Sequence, residues 1–350
     1  MRRVRLVDRI DRIERICGRE LDPRSLRATV LDEIRAVVPC EAYAWLLTDP
    51  ETCVGSAPLA ETPDLADLPT LIRLKYLTST NRWTSMAADA SVTLVQTTGG
   101  DRSRSRMWKE LLAGYGIDDV SSTVFRDRYG CWGFLDLWRR GGQFSADECA
   151  LLQNVARVVT PSMRRSLVST FEHRVRVPAH RGGPVVLLLS DDLAHLTQTP
   201  QTDDYLRALL PTAADRAPVP AGIYNVAAQL LAQEDGVDAH PSWARVHLRD
   251  GAWVTLRAAR MERTVAGASI AVSIEPTPSR ERTALYARVV GLSEKESELL
   301  GHLVAGSDTR ELARHLFVSE HTVQDHLKSV FAKTGTNSRR VLIARASGVA

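Results

Sequence analysis

Apolar residues recur at helical spacing in the first forty positions of the chain. Four of them follow one another at intervals of four, three and four residues: Leu6, Ile10, Ile13 and Cys17. This spacing predicts an amphipathic helix over residues 1–17, because such intervals place side chains on one helical face. A second apolar face, formed by Leu26, Val30, Leu31, Ile34 and Val37, predicts another helix over residues 24–38.

Shorter apolar runs with turn residues between them predict strands further along. Residues 41–48 form one such run, and Asp49-Pro50 then indicates a turn. Residues 120–126 and 131–138 are separated by four residues that end in Gly130, which is hairpin spacing. Ser145 and Glu148 form a capping-box pattern that predicts the start of a helix. Helices are also expected around residues 68–76 and 107–115, with a loop over residues 97–106.

A stretch rich in Pro and Gly at residues 178–184 indicates a boundary, and a second mixed unit follows it. Its predicted strands are 185–189, 243–249, 252–260 and 269–275, and its predicted helices are 203–210 and 222–233. Asp250-Gly251 predicts a tight hairpin turn between two of these strands. Pro276-Thr277-Pro278 ends the unit, and a helix over residues 279–290 leads into the last segment.

Composition narrows the class of protein. The 350 residues are enough for two or three domains, and 44% apolar with 25% charged residues is ordinary soluble composition. No apolar run is long enough to cross a bilayer, and the N-terminus lacks the apolar part of a signal peptide, so we expect a cytoplasmic protein. The five cysteines contain no C-x-x-C pair, which favours free thiols over a disulfide framework or a zinc site.

The last sixty residues show only helical patterns. Four helices are expected, with Ser293, Ser319 and Ser338 at the start of the first, third and fourth. Gly306 and Gly335 are expected to end the first and third helices. A short second helix, a turn of about four residues at Phe317-Val318 and a third helix with a polar outer face describe a helix-turn-helix.

This segment resembles the LuxR-type DNA-binding domain. The residues that carry the resemblance are L-S-E-K-E-S-E-L-L (292–300), E-L-A-R-H-L-F-V-S-E-H-T-V-Q-D-H-L (311–327), V-F-A-K-T-G (330–335) and N-S-R (337–339). Thr309, Gln324 and Thr334 depart from the residues that the family usually has at these positions. The segment holds eight basic and seven acidic side chains, so a single module should have modest non-specific affinity for DNA.

The resemblance implies that the third helix lies in the major groove of double-stranded DNA. Gln324, Asp325 and Lys328 then take the base-contacting positions, and their side chains suit adenine, cytosine and guanine in that order. Four further residues would contact phosphates: Ser319, Thr322, Lys333 and Arg339. Each charged residue alone is equally compatible with an ordinary solvated surface.

Upstream, two sensor-like units are expected. Residues 120–138 followed by Q-F-S-A-D-E-C-A-L-L-Q-N-V-A (143–156) resemble the C-terminal edge of a GAF domain, and residues 248–254 with 270–275 resemble a divergent PAS domain. The expected fold is multidomain α+β: two sensor-like α/β sheet domains followed by an all-α four-helix domain. The expected boundaries are 1–175 for the GAF-like domain with flanking helices, 184–276 for the PAS-like domain, 277–290 for a linker helix and 291–350 for the helix-turn-helix domain.

Two features of the sensor-like region suggest chemistry without fixing it. Five tryptophans could line an aromatic ligand pocket or could be ordinary core and surface residues: Trp45, Trp83, Trp108, Trp132 and Trp138. Ser190, Asp191, Asp192 and His195 are best explained as a polar loop rather than a catalytic or metal cluster. His321 and His326 are five residues apart, so they do not share a helical face for a metal. No cofactor and no catalytic residue are therefore expected, and the identity of any ligand is open.

The resulting hypothesis is a bacterial transcription regulator, not an enzyme, that binds operator DNA as a homodimer. A small-molecule or partner signal at the sensor-like units would control it, and the apolar seam of helix 1–17 is a candidate dimer interface. One alternative is a signalling enzyme, but the chain has neither a phosphate-binding loop nor an evident nucleophile–base pair. The other alternative is a scaffold that acts through protein partners and has weak or lost DNA binding.

Overall fold

The computed structural model contains three units in chain order, two built on sheets and one entirely helical. It describes residues 2–172, 183–210, 218–248, 251–262 and 269–348, with the backbone alone for residues 2–7. Among these residues, no helix is long and apolar enough to cross a membrane.

The first unit is built on a five-stranded antiparallel sheet with the strand order β2-β1-β5-β4-β3. Its strands are β1 (Ala42–Thr48), β2 (Gly55–Glu61), β3 (Ser91–Thr93), β4 (Asp119–Asp127) and β5 (Gly130–Arg139). The three predicted strands and the hairpin at Gly130 are confirmed. Strand β2 was not predicted because it contains Pro58, a residue that strands tolerate at an edge, and β2 lies at the edge of the sheet.

Three helices pack on one face of this sheet, namely α1 (Arg2–Cys17), α2 (Pro23–Arg35) and α5 (Ala146–Ser166). Helix α2 begins at Asp22, whose carboxylate accepts hydrogen bonds from the backbone N–H groups of Arg24 and Ser25. Helix α5 begins with the predicted capping box of Ser145 and Glu148. The predicted helices of this layer are confirmed.

The seam of α1 packs inside its own unit. Ile13 is 1% exposed, and Cys17 is buried against α5, where its carbonyl oxygen accepts a hydrogen bond from Ser162. Ile10 is half-buried against the same core, while the side chain of Leu6 lies outside the described residues. The hypothesis that this seam is a dimer interface is therefore wrong for Ile13 and Cys17, because their apolar surface is already covered within the chain.

The segment between β2 and β4 is more helical than expected. It contains α3 (Leu68–Leu77), as predicted, and α4 (Leu94–Thr98), which extends into the stretch predicted as a loop. Thr93 and Gln96 form a capping box that starts α4, and Gly99 ends it with a φ of 64°. The helix predicted over 107–115 is a short π-helical turn at Trp108–Leu112, and Gly116 follows with a φ of 68°.

The second unit has a five-stranded antiparallel sheet with the order β7-β6-β10-β9-β8, which repeats the order of the first sheet. Its strands are β6 (Val186–Ser190), β7 (His195–Gln198), β8 (Trp243–His247), β9 (Trp253–Arg260) and β10 (Ser269–Pro276), and its helices are α6 (Thr202–Leu209) and α7 (Ala221–Glu234). The predicted strands and helices are confirmed to within a few residues, and β7 was missed. Asp250 of the predicted hairpin turn and most of the predicted boundary at 178–184 lie outside the described residues.

Helix α7 lies between the two units. It packs on α3 and β2 of the first unit and on the sheet of its own unit, so the two units share one apolar core on this side. Polar contacts reinforce the junction. Arg82 donates to the Gln229 side chain at 2.9 Å and forms a buried ion pair with Asp238 at 2.6 Å.

A second buried ion pair links the two units near the start of the C-terminal region. Arg245 of β8 donates two hydrogen bonds to the Asp49 carboxylate, at 2.7 and 2.8 Å, and the two side chains are 1% and 0% exposed. The same guanidinium donates to the carbonyl oxygen of Glu281 at 3.1 Å. Burial opposes the charged form of Asp49, but Arg245 outweighs burial and lowers the pKa of this carboxyl below its usual range.

The C-terminal region consists of the linker helix α8 and four further helices. These are α8 (Ser279–Val289), α9 (Glu294–Val304), α10 (Thr309–His315), α11 (Glu320–Thr334) and α12 (Arg339–Ser347). Ser293, Ser319 and Ser338 cap α9, α11 and α12 as predicted, and Gly335 ends α11 with a φ of 61°. The prediction of four helices after residue 290 is confirmed.

The helical unit is docked on the rest of the chain through both ends of α8. Arg282 donates to the carbonyl oxygen of Ala346 at 2.9 Å, at the C-terminal end of α12. At the other end, Tyr129 donates to the Gly291 carbonyl oxygen at 3.0 Å, and Arg164 donates to that of Val289 at 3.0 Å. Gly291 has a φ of 73°, a left-handed conformation that favours glycine at this junction.

The Asp49–Arg245 pair supplies a stability test. Replacing Asp49 by Ala should lower the free energy of unfolding by about 3–5 kcal/mol, because it leaves the buried Arg245 charge without a partner. The combined change of Asp49→Leu and Arg245→Met should recover part of this loss, because it removes both charges. Denaturant unfolding followed by circular dichroism measures the difference. The control is Asp32→Ala on the exposed side of α2, expected within about 0.5 kcal/mol of the unchanged protein. A loss below about 1 kcal/mol for Asp49→Ala would show that the pair does not hold the units together.

Candidate nucleic-acid interface

Helices α10 and α11 form a helix-turn-helix. Asp308 and Glu311 form a capping box that starts α10, and the Ser319 hydroxyl accepts a hydrogen bond from the Thr322 N–H at the start of α11. Four apolar side chains of the two helices are buried: Leu312, Ala313, Val323 and Leu327. They pack against Leu299 and Leu303 of α9, so the inner face of each helix is fully used.

The turn between α10 and α11 differs in part from the predicted apolar turn. Val318 is half-buried against the core, but Phe317 is 94% exposed. Phe317 also has a φ of 54°, a left-handed conformation that bulky residues seldom adopt. The tight change of direction therefore turns its ring away from the core and into solvent.

All three predicted base-contacting residues lie on the solvent-exposed outer face of α11. Gln324, Asp325 and Lys328 are exposed, and none of the described parts of the other units covers them. Lys328 donates to the Asp325 carboxylate at 3.2 Å, and the carboxamide of Gln324 has no hydrogen-bond partner among the described residues. Exposed ion pairs such as Asp325–Lys328 contribute little stability, so both side chains are available to exchange partners.

The four predicted phosphate-contacting residues are divided between the two ends of α11. Ser319 and Thr322 lie together at its N-terminus, with hydroxyl oxygens 2.9 Å apart. Arg339 starts α12 and donates to the Thr309 hydroxyl at 2.7 Å, which ties α12 to α10. The prediction that these three residues contact phosphates is untested.

Lys333 has a partner inside the unit that the sequence did not suggest. Its ammonium donates to both carboxylate oxygens of Glu296, at 2.6 and 2.9 Å, and Ser329 donates to the same carboxylate at 2.6 Å. Burial opposes the charged form of Glu296, but the bonds from Lys333, Ser329 and Ser293 outweigh it and lower the pKa to about 2. The pair therefore fixes the C-terminal half of α11 on α9. Whether Lys333 also contacts a phosphate is untested.

Sequence reasoning missed His321 as a part of the polar face. It lies in the first turn of α11, is exposed, and its Nε2 is 3.7 Å from the Asp325 carboxylate. The first turn of the second helix of a helix-turn-helix commonly reaches base edges, and this placement was the available signal. Three further exposed cations lie on the neighbouring helices, namely Arg310 and Arg314 of α10 and Arg340 of α12.

The five tryptophans do not line one pocket. Trp45 stacks on Phe125 at 4.9 Å, and Trp83 stacks on Phe134 at 4.3 Å, in separate apolar cores. Trp132 lies in the same core as Trp45, and Trp138 lies in a third core with Trp108 at its edge. The core interpretation of these residues is therefore the better one. Among the described residues, no group of three or more His, Cys, Asp or Glu side chains could hold a metal ion.

Comparison with known proteins places the similarity in this helical unit. Residues 290–346 match the family model described as bacterial regulatory proteins, luxR family. The CsgBAC operon transcriptional regulatory protein of Escherichia coli is 38% identical over 56 residues, which are 16% of this chain and 26% of that protein. The monoamine regulon transcriptional regulator of Klebsiella aerogenes is 39% identical over 54 residues, 15% of this chain and 24% of that protein.

The matched segment is a small part of this chain and of each relative. The chain covers about a quarter of the length of these relatives, with 26% and 24% of their residues aligned. At the level of the whole chain, a crystal structure of Escherichia coli SdiA aligns over 95% of this chain and 93% of that one, with a TM-score of 0.34 and 11% identity. Residues 290–346 therefore form a LuxR-type helix-turn-helix domain at the C-terminal end of a mixed α+β chain.

Proposed function

We propose that this protein is a transcription regulator that binds operator DNA through α11. The observation that carries the proposal is the solvent-exposed polar face of α11 in a domain of the luxR type. The apolar faces of α10 and α11 are consumed by packing, so the exposed polar side chains are free to form contacts outside the chain. An α-helix of this kind fits the major groove, where base edges present donors and acceptors.

The proposed roles follow from side-chain chemistry. Gln324 can pair with adenine through its carboxamide, Lys328 can donate to guanine, and Asp325 can accept from cytosine. Ser319, Thr322, Lys333 and Arg339 flank these three and would contact phosphates. Binding would require Lys328 to leave Asp325, and a phosphate at Lys333 would have to share the ammonium with Glu296.

The two sheet units would act as sensors, the first GAF-like and the second PAS-like. Their identical strand order supports treating them as two related sensor-like folds. A small molecule or a protein partner would act on them, and α8 would carry the effect, because α8 contacts both the first unit and α12. The proposal involves neither a catalytic step nor a cofactor. It places the action of the protein in the cytoplasm.

An alternative is a regulator that works through protein partners with weak or lost DNA binding. Two lysines of the DNA-binding unit, Lys328 and Lys333, are paired with carboxylates of the same unit, which favours this alternative. Neutralised lysines release fewer counterions when DNA binds, so non-specific affinity falls.

Selection of binding sites from a pool of random-sequence duplexes decides between the two. A LuxR-type module has one short recognition helix, and two copies are needed to read a specific site. We therefore expect a homodimer and a two-fold repeated operator with half-sites about 10 base pairs apart. Light scattering on the free protein should show the dimer in the absence of DNA. Failure to enrich any sequence would favour the partner-binding alternative, and a single unrepeated half-site with a monomer would contradict the dimer.

Replacing Gln324 by Ala tests base recognition on the selected site. Operator affinity should fall by about 1–3 kcal/mol, and preference at one base pair should relax, because a bidentate contact to a base is lost. Fluorescence anisotropy with operator and random duplexes measures both effects. Gln233→Ala, at a glutamine of α7 in the second unit, is the control and should change neither. An equal loss on operator and random DNA would assign Gln324 to the backbone instead.

Replacing Lys333 by Ala tests phosphate contact. If Lys333 contacts phosphate, affinity should fall on operator and random duplexes alike, and the slope of log K against log salt should shrink by about one. The measurement is a salt titration from about 50 to 200 mM, with Lys109→Ala in the first unit as the control. A weaker affinity with an unchanged slope would show that Lys333 acts only by holding α11 on Glu296.

A further inference from the structure

A cavity lies where the first unit, the second unit and α8 meet. Its volume is about 410 Å³, within the range of small-molecule sites in proteins. Five apolar side chains from all three parts line it: Leu47, Leu167, Val246, Trp253 and Leu285. Leu285 belongs to α8, the helix that leads to the DNA-binding unit.

The wall of this cavity contains a buried arginine whose charge is not balanced. Arg27 of α2 is 2% exposed, and no carboxylate of the described residues forms an ion pair with it. Its Nη1 donates to the carbonyl oxygens of Trp45 at 2.7 Å and Ala57 at 2.9 Å, and its Nε donates to that of Pro23 at 3.0 Å. These carbonyls occupy the N–H groups of Nε and Nη1, and Nη2 has no hydrogen-bond partner among the described residues.

Neighbouring charges do not compensate for Arg27. Asp49 also lines the cavity, but both of its oxygens are bonded to Arg245. The Asp22 carboxylate caps α2, and Arg24 adds another positive charge at the same wall. Burial, followed by the charge of Arg24, lowers the pKa of Arg27 to about 9, and the charge of Asp22 offsets this only in part. An uncompensated buried cation is costly, so a bound anion would be favoured here.

We propose that this cavity binds a small monocarboxylate with an apolar body, held by Arg27. The free Nη2 group of Arg27 can donate to one carboxylate, and the apolar walls would cover the rest of the ligand. A phosphate group carries more charge and needs more donors than this wall offers. The ligand would touch both sheet units and α8 at once, so its binding would stabilise one arrangement of the three.

This inference deepens the proposed function by naming the signal, yet its test does not require DNA. Binding is measured on the full chain alone, so failure of the site and failure of operator recognition give separate results. The probes are octanoate, 3-phenylpropionate and indole-3-propionate. Octan-1-ol and octylamine are the neutral and cationic controls, and inorganic phosphate is the control for a simple anion.

Isothermal titration calorimetry and thermal melting should show binding of at least one carboxylate with a Kd below about 1 mM. Octanoate should bind more tightly than octan-1-ol, and octylamine should bind least. Arg27→Met should raise the Kd of the carboxylate by about 10- to 150-fold, the range for a lost hydrogen bond to a charged group. Arg27→Lys should retain part of the affinity, and Arg35→Met at the last turn of α2 should retain all of it.

Several results would overturn the site. Absence of binding by all three carboxylates excludes it, and equal affinity in Arg27→Met moves the carboxylate elsewhere. Phosphate that binds as tightly as octanoate contradicts the ligand class. If Arg27→Met does not fold, as judged by circular dichroism, the unchanged protein still decides the question, because octylamine binding as tightly as octanoate rules out a cationic wall.

Discussion

The bidentate ion pair between Arg245 and Asp49 joins three parts of the chain at one point. Asp49 lies in the turn after β1, Arg245 lies in β8, and the same guanidinium reaches the Glu281 carbonyl oxygen in the first turn of α8. Two buried charges are tolerable only when each satisfies the other, so this geometry permits little relative movement. Helix α8, which leads into the helix-turn-helix unit, begins at this point.

Apolar packing also joins the three units. The core on the helical face of the first sheet continues through Phe171, Trp253 and Tyr286 into the interior of the C-terminal helices. On the other face, α7 joins the cores of both sheets. The three units are consecutive in the sequence, but each of them shares an apolar core with another unit. A change of packing in one unit therefore alters the packing of its neighbours.

Local patterns predicted most elements because each signal lies within a few residues. Capping boxes such as Ser145–Glu148 and the hairpin at Gly130 are of this kind. The strands that were missed are short or interrupted, as β2 is by Pro58. In the candidate interface, spacing and family resemblance identified the exposed residues of α11. The Lys333–Glu296 pair joins residues far apart in sequence, so no local pattern predicts it. The burial of Arg27 without a carboxylate partner depends on the tertiary structure, so it too has no local pattern.

Arg282 has a consequence for how such regulators exchange parts. Its side chain is buried and donates to carbonyl oxygens at the end of α12, which are otherwise left without partners when a helix ends. The linker helix thus completes the last helix of the helix-turn-helix unit. A recombination event that cut the gene near residue 290 would separate α12 from the arginine that caps it. Functional hybrids of this lineage should therefore inherit α8 together with the four helices that follow, and the unit of inheritance begins before the first residue of the matched domain.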